Sequence, residues 1–273
     1  QTVSGTTAAG SAFAMSFANG KMTSWKFDGE NIIAQGPDFN SYRKVDNDRN
    51  FSPDFTNSTS VSVTGALAKS GSNATMSVSG YAYSCSYTID YTFYADATVD
   101  MKVTFSPSGN LARMGLGMQF AEGMEDVEYY GRGPWSNYSD RKTGSFLGRY
   151  QTTVDDIVDE MIHPQTYGDH QDLRDLTLRN LTNGLSLNVQ TEGQVSFSLG
   201  HYDETRWCTY GDSMWNSQLH WYDLSRDPQI YAHFDYFQRG LGNNSCGGDS
   251  CLSDYTCPSW GSYTYTLRFT PGK

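Results

Sequence analysis

The chain has 273 residues, a formal net charge of −11, and 14% aromatic residues that include 19 Tyr and 14 Phe. That acidity repels phosphate backbones and argues against a nucleic-acid partner, while no apolar run approaches the roughly 20 residues a helix needs to cross a bilayer. Tyrosine-rich composition favours sheets over helices, and the length suits one large β-sandwich or barrel.

Taken in chain order, Gln1 comes first, with neither a basic n-region nor an apolar h-region behind it. The chain therefore reads as a processed product or a piece of something longer. Next, "AFAMSFA" and "MTSWKF" flank Asn19-Gly20, and Asp28-Gly29 follows before "NIIA". These dipeptides supply the positive φ angles of two-residue hairpins. The polar stretch "NDRNFSPDFTNSTS" reads as a long loop. Beyond it, Tyr87, Ile89, Tyr91 and Phe93 alternate with polar residues, as do Val99, Met101, Val103 and Phe105. Leu185, Leu187 and Val189, then Val195, Phe197 and Leu199, repeat the pattern after Asn183-Gly184. Tyr263, Tyr265, Leu267 and Phe269 close it. Each run is expected to bury one face and wet the other, as antiparallel strands do. A short helix is expected near residues 203 to 216. The predicted fold class is all-β: a large two-sheet antiparallel sandwich, with residues 1–273 forming a single domain.

The five cysteines are Cys85, Cys208, Cys246, Cys251 and Cys257. Their odd number forbids complete internal pairing, but a local bridge among Cys246, Cys251 and Cys257 fits an oxidising compartment. Their spacing does not match zinc sites, so no metal is expected, nor any cofactor.

Several segments resemble the C-terminal, small-chain domain of family-2 β-galactosidases, and they occur in that family's order. "YYGRGPWSNYSDRKTG" resembles its W-x-G-x-G-P-x-E-N-Y-x-D-R segment, and "NGKMTSWKFDGENII" its opening hairpin. "DFNSYRKVDNDRN" is similar to its F-x-R-x-x-x-D-N-D element, "HPQTYGDHQDLRDLTLRN" to its P-Q-E-N-G block, and "YFQRGLGNNSCGG" to its glycine turn; "YTYTLRFTP" matches the closing strand. The resemblance implies a β-supersandwich, a fold shared with galactose mutarotases, at the end of a much longer chain whose catalytic carboxylates sit on an earlier barrel. It implies partners in the other domains of that chain and in the carbohydrate substrate.

The residues that the resemblance points toward sugar are Arg43, Asp46, Asn47 and Asp48 in one loop, Trp135 at the corner, His170, and Asn244 and Cys246 in the glycine turn. Carboxylates and amides suit hydroxyl recognition. Each also has a structural reading: an Asx-rich turn at 46–48, a packed corner at 135, a structural or surface histidine at 170. The sequence departs from the family pattern at Asn50, where Gly is usual, at Ser136, where an acid is usual, and at Cys246, where the best-known members carry Trp. Trp260 lies too far along to stand in for it.

The expected function is therefore that of an accessory domain helping to shape a β-galactosidase's carbohydrate site, with no catalytic residue of its own. Two alternatives stand beside it. One is a stand-alone aldose 1-epimerase, for which His233 and Asp235 share a strand face and His163 and His170 flank "PQTYGD". The other is a carbohydrate-binding module using Trp135. The expected location is periplasmic or secreted, with the cytoplasm as the other possibility.

Overall fold

The structure, a computed structural model, describes residues 1–45, 48, 51, 60–162, 164–207, 220–242 and 251–273. The described residues form sixteen strands. They are β1 (Thr2–Thr6), β2 (Ala12–Ala18), β3 (Lys21–Phe27), β4 (Glu30–Asn40), β5 (Ser60–Ser70), β6 (Asn73–Ala82), β7 (Cys85–Phe93) and β8 (Val99–Pro107). The second half adds β9 (Arg113–Phe120), β10 (Asp126–Gly133), β11 (Phe146–Thr153), β12 (Asp175–Arg179), β13 (Ser186–Glu192), β14 (Ser196–Gly200), β15 (Ile230–Gln238) and β16 (Tyr263–Gly272). They assemble into a seven-stranded sheet, ordered β1-β2-β3-β4-β9-β15-β14, and a nine-stranded sheet, ordered β11-β10-β12-β13-β16-β8-β7-β6-β5.

The turns follow the local chemistry. Asn19 and Gly20 take φ of 51° and 81°, and Asp28 and Gly29 take 50° and 84°, so β2, β3 and β4 run as tight hairpins. The hairpin between β6 and β7 uses the same left-handed geometry at Tyr83 (φ 51°) and Ser84 (φ 58°), residues that carry no such signal in sequence.

The odd residues of β2 and of β7 explain the core. Phe17 on β2 meets Tyr91 and Phe93 on β7 at ring distances of 5.4 and 5.6 Å. Trp25 on β3 and Phe234 on β15 both meet Phe269 on β16, at 6.2 and 6.0 Å. Phe39 on β4 lies 5.6 Å from Phe105 on β8. These aromatic contacts join the inward faces of the two sheets. Burying each ring stabilises the fold by about 1.5–3 kcal/mol relative to leaving it in water. Within this core the Tyr265 hydroxyl donates to the Phe234 carbonyl at 2.8 Å.

Two expectations change. The run at β14 does not wet its second face; all five residues are buried, because the 166–171 segment crosses over it and His170 bridges to Phe197. The helix expected near 203 to 216 begins as one turn, α1 (Glu204–Trp207); residues 208–216 lie outside the described ones. The long loop read at "NDRNFSPDFTNSTS" also lies almost wholly outside them. The strand that follows, β5, is an edge of the nine-stranded sheet. It is exposed along most of its length, and its register against β6 shifts between Val63 and Gly65 and again between Gly65 and Ala68.

Substituting Leu267→Ala, at a wholly buried position of β16, is expected to lower unfolding free energy by about 2–5 kcal/mol. Lys102→Ala on the wet face of β8 is expected to change it by less than about 0.5 kcal/mol. Urea denaturation of both variants checks the assignment of faces.

Candidate functional site

Chemistry-bearing side chains gather first at a corner where several loops meet, and second in a cleft on the outward face of the seven-stranded sheet.

The corner is organised by guanidinium groups. Arg43 is buried. Its Nε donates to Asp48 Oδ2 at 2.9 Å, its Nη2 to the Gly240 carbonyl at 2.8 Å, and its Nη1 to the Arg239 carbonyl. Arg239 Nη1 donates to Asp48 Oδ1 at 2.7 Å, and its guanidinium lies over the Phe51 ring. Asp48 is thus held between two fixed positive charges. From the "GRGPWSNYSDR" segment, Asp140 accepts from the Leu241 and Gly242 amides at 3.1 and 2.9 Å, and Arg141 donates to the Gly242 carbonyl at 2.9 Å. A Cβ at Gly240 would come within 2.6 Å of the Asp140 carboxyl carbon, which is why this turn takes glycine.

Asp46, Asn47, Asn244 and Cys246 lie outside the described residues, but the stems of their loops, at Asp48 and Gly242, are tied into this one network. Trp135 stands 70% exposed at the surface, its carbonyl accepting from Asn137. His170 is wholly buried between Phe197 and Tyr129, with Nδ1 3.1 Å from the Arg132 carbonyl. Burial pushes its pKa down to about 4. Neither Arg43 nor His170 presents a surface to a ligand. His163 lies outside the described residues. So does Cys246, the expected bridge partner; Cys257 is buried with a free thiol.

The cleft has a volume of about 350 Å³. Strand register builds its floor. Asp38, Gly117, His233 and Ser198 stand side by side across β4, β9, β15 and β14; on one side of them lie Gln35, Gln119, Tyr231 and Gly200, on the other Asn40, Gly115, Asp235 and Ser196. All face away from the core, because Leu116, Met118, Ala232, Phe234, Phe197 and Leu199 occupy the alternate positions and are buried. Glycines on β9 make the depression. A Cβ at Gly117 would press on Asn40 Cβ at 3.3 Å and His233 Cε1 at 3.4 Å. Tyr83, Tyr167 and Tyr202 form the walls. The strand "RMGLGMQF" holds this signal, its two glycines alternating with Met114, Leu116 and Met118; the shared strand face of His233 and Asp235 is only part of it.

One end of the cleft is closed by buried charge. Arg113 and Asp235 are both fully buried, with Nε donating to Oδ2 at 2.8 Å, and Glu204 lies 3.7 Å from the same guanidinium. Burial works against the Arg113 charge, but Asp235, Glu204 and Asp169 outweigh it and hold its pKa above the ordinary value. Burial raises Asp235 and Glu204, against the pull of Arg113. Burial, reinforced by the Asp235 charge, lifts Asp169 to about 7. His233 is driven well below its usual value by burial and by Arg113, so it is neutral at pH 7. Its Nδ1 has no hydrogen-bond partner among the described residues. The carboxylate two residues along the strand is engaged by Arg113.

A third cluster joins Glu125, Asp155 and His201, whose ligand atoms lie within 4.8 Å of one another. Arg226 sits among them, 2.8 Å from His201 Nε2 and 3.1 Å from Asp155 Oδ1. Its guanidinium supplies the positive charge that the two acids face.

The family described as beta galactosidase small chain matches residues 7–269. The chain is 32% identical over 155 residues to a beta-galactosidase of Staphylococcus xylosus, covering 56% of this chain and 14% of that one. It is 28% identical over 184 residues to a beta-galactosidase of Lactococcus lactis, covering 66% of this chain and 17% of that one. The chain thus spans less than a fifth of these relatives. Among solved structures, the galactose mutarotase related enzyme from Lactobacillus acidophilus shares its fold, with a TM-score of 0.50 and 9% identity over 100% of this chain and 98% of that one.

Two predictions follow from the buried charges. Arg113→Met leaves Asp235 without its counter-ion and is expected to cost about 3–5 kcal/mol of stability near neutral pH. The loss should shrink in acid, where Asp235 takes up a proton; denaturation at pH 7.5 and pH 4.5 reads it. Burial holds the Asp169 carboxyl at a pKa of about 7, against an ordinary carboxylate value of about 3.8. Its protonated form is therefore favoured by folding, and its contribution is lost as pH rises from about 4 to about 7. Asp169→Asn should gain stability relative to the unsubstituted chain across that window, seen in the difference between their melting temperatures as pH rises.

Proposed function

The chain belongs to the beta-galactosidase small-chain family, and on that premise we propose that it is the non-catalytic supersandwich unit of a larger family-2 β-galactosidase. The observation that carries this reading is the family match over residues 7–269, set against relatives of which the chain covers only 14% and 17%. Most of such an enzyme's length, and its chemistry, lies in other domains. In this reading the unit packs on the catalytic barrel and helps to wall the carbohydrate site through the loops at 46–50 and 243–247.

The corner network supports that role. Arg43, Arg239, Asp140 and Arg141 clamp both loop stems through charge-assisted bonds, which hold a recognition edge in place more firmly than neutral bonds do. Glycoside hydrolysis with retention needs two carboxyl groups about 5 Å apart, one of them free to protonate the leaving oxygen. Among the described residues the wholly buried acids are instead committed: Asp235 to Arg113, and Asp169 to the Gln171 amide.

The purified chain is expected to release no galactose from a chromogenic β-galactoside above the rate in buffer. Release at enzymatic speed would overturn the proposal. Within the full-length enzyme, Asp48→Ala is expected to raise KM for the galactoside several-fold, by loosening both loops, while the isolated chain keeps its fold.

A further inference from the structure

The polar grid on the outward face of β4, β9, β15 and β14 has no part in the proposed function. We propose that this cleft is a binding site for a neutral polyhydroxylated ligand of monosaccharide size, seated over Gly117. The floor of the site belongs to the sheet, and Tyr83, Tyr167 and Tyr202 wall it.

Size and chemistry both point to that class. About 350 Å³ lies at the small end of the roughly 300–1,000 Å³ typical of ligand clefts. The floor offers donors and acceptors in alternation: the Gln35 and Gln119 amides, the Ser198 hydroxyl and the neutral His233 imidazole. Sugar hydroxyls, which donate and accept at once, match such a mixed set. The Tyr83, Tyr167 and Tyr202 walls add apolar ring faces with polar tips. Among the described residues, the charges in and around the cleft leave no unpaired cation to receive an anion. Lys21 is paired with Asp38, and Arg113 with Asp235. Asp203 and Glu204 add negative charge at the rim. Phosphorylated or carboxylated sugars are therefore disfavoured. His233 Nδ1 is buried and lacks any partner among the described residues, which leaves the ring at the floor with hydrogen-bonding capacity that the described side chains do not use.

Amide-resolved NMR titration of the purified chain with D-galactose tests the site. Saturable shifts are expected at Gly117, Ser198 and His233. Gly117→Val, which fills the floor, and Ser198→Ala, which removes one hydroxyl, are each expected to weaken binding tenfold or more; thermal melting checks that both remain folded. Galactose 6-phosphate is expected to bind at least tenfold more weakly than galactose. The proposal is overturned by an absence of saturable shifts, by shifts confined to the 135–142 corner, by unchanged affinity in the folded Ser198→Ala and Gly117→Val variants, or by equal binding of the phosphorylated sugar. None of these readouts involves hydrolysis, so the outcome is separate from that of the proposed function.

Discussion

The constraint on which the molecule rests is the shared register of β4, β9, β15 and β14. A strand's side chains alternate with a period of two, so sliding any one of these strands by a single residue would turn its whole apolar set outward. Held in register, Leu116, Phe234 and Phe197 face the nine-stranded sheet, while Gly117, His233 and Ser198 form one polar row on the far side. Core and cleft are thus two faces of one pairing scheme. Neither can be altered without the other, and the inter-sheet aromatic contacts fix both.

Burying charge beside the cleft carries a desolvation penalty that must be met by partners. Arg113, Asp235, Glu204 and Asp169 meet it jointly: the acids hold the proton on Arg113, and Arg113 pulls back the rise that burial imposes on the acids. The corner arginines work differently. Arg43 and Arg239 tie loop backbones together and leave the loops' outer residues to do the contacting, which suits an edge that must meet a neighbouring surface in one shape.

Much of the sandwich is legible in the sequence because strand alternation and Asn-Gly or Asp-Gly turns are local signals. The burial of Tyr87, Ile89, Tyr91 and Phe93 follows from their spacing alone. The Tyr83-Ser84 turn is not legible, since tertiary packing imposes a left-handed conformation on residues that do not prefer it. Nor is the double burial of β14, which depends on a segment far along the chain crossing over it. The corner's composition advertises rigidity, and the pairing of Asp140 with the glycine turn a hundred residues away is the physical content behind it. The cleft stayed hidden because its floor comes from four strands, and single-strand reading of "IYAHFDYF" reveals His233 and Asp235 without their cross-strand neighbours.

An open two-sheet architecture leaves unpaired margins, and β5 is the longest of them. Its backbone steps out of register twice within one strand and carries Ser, Thr and Lys toward water. A foreign strand therefore finds no straight run of free amides and carbonyls along which to zip. Crowded molecules of this chain are denied the simplest template for stacking edge to edge into fibrillar sheets.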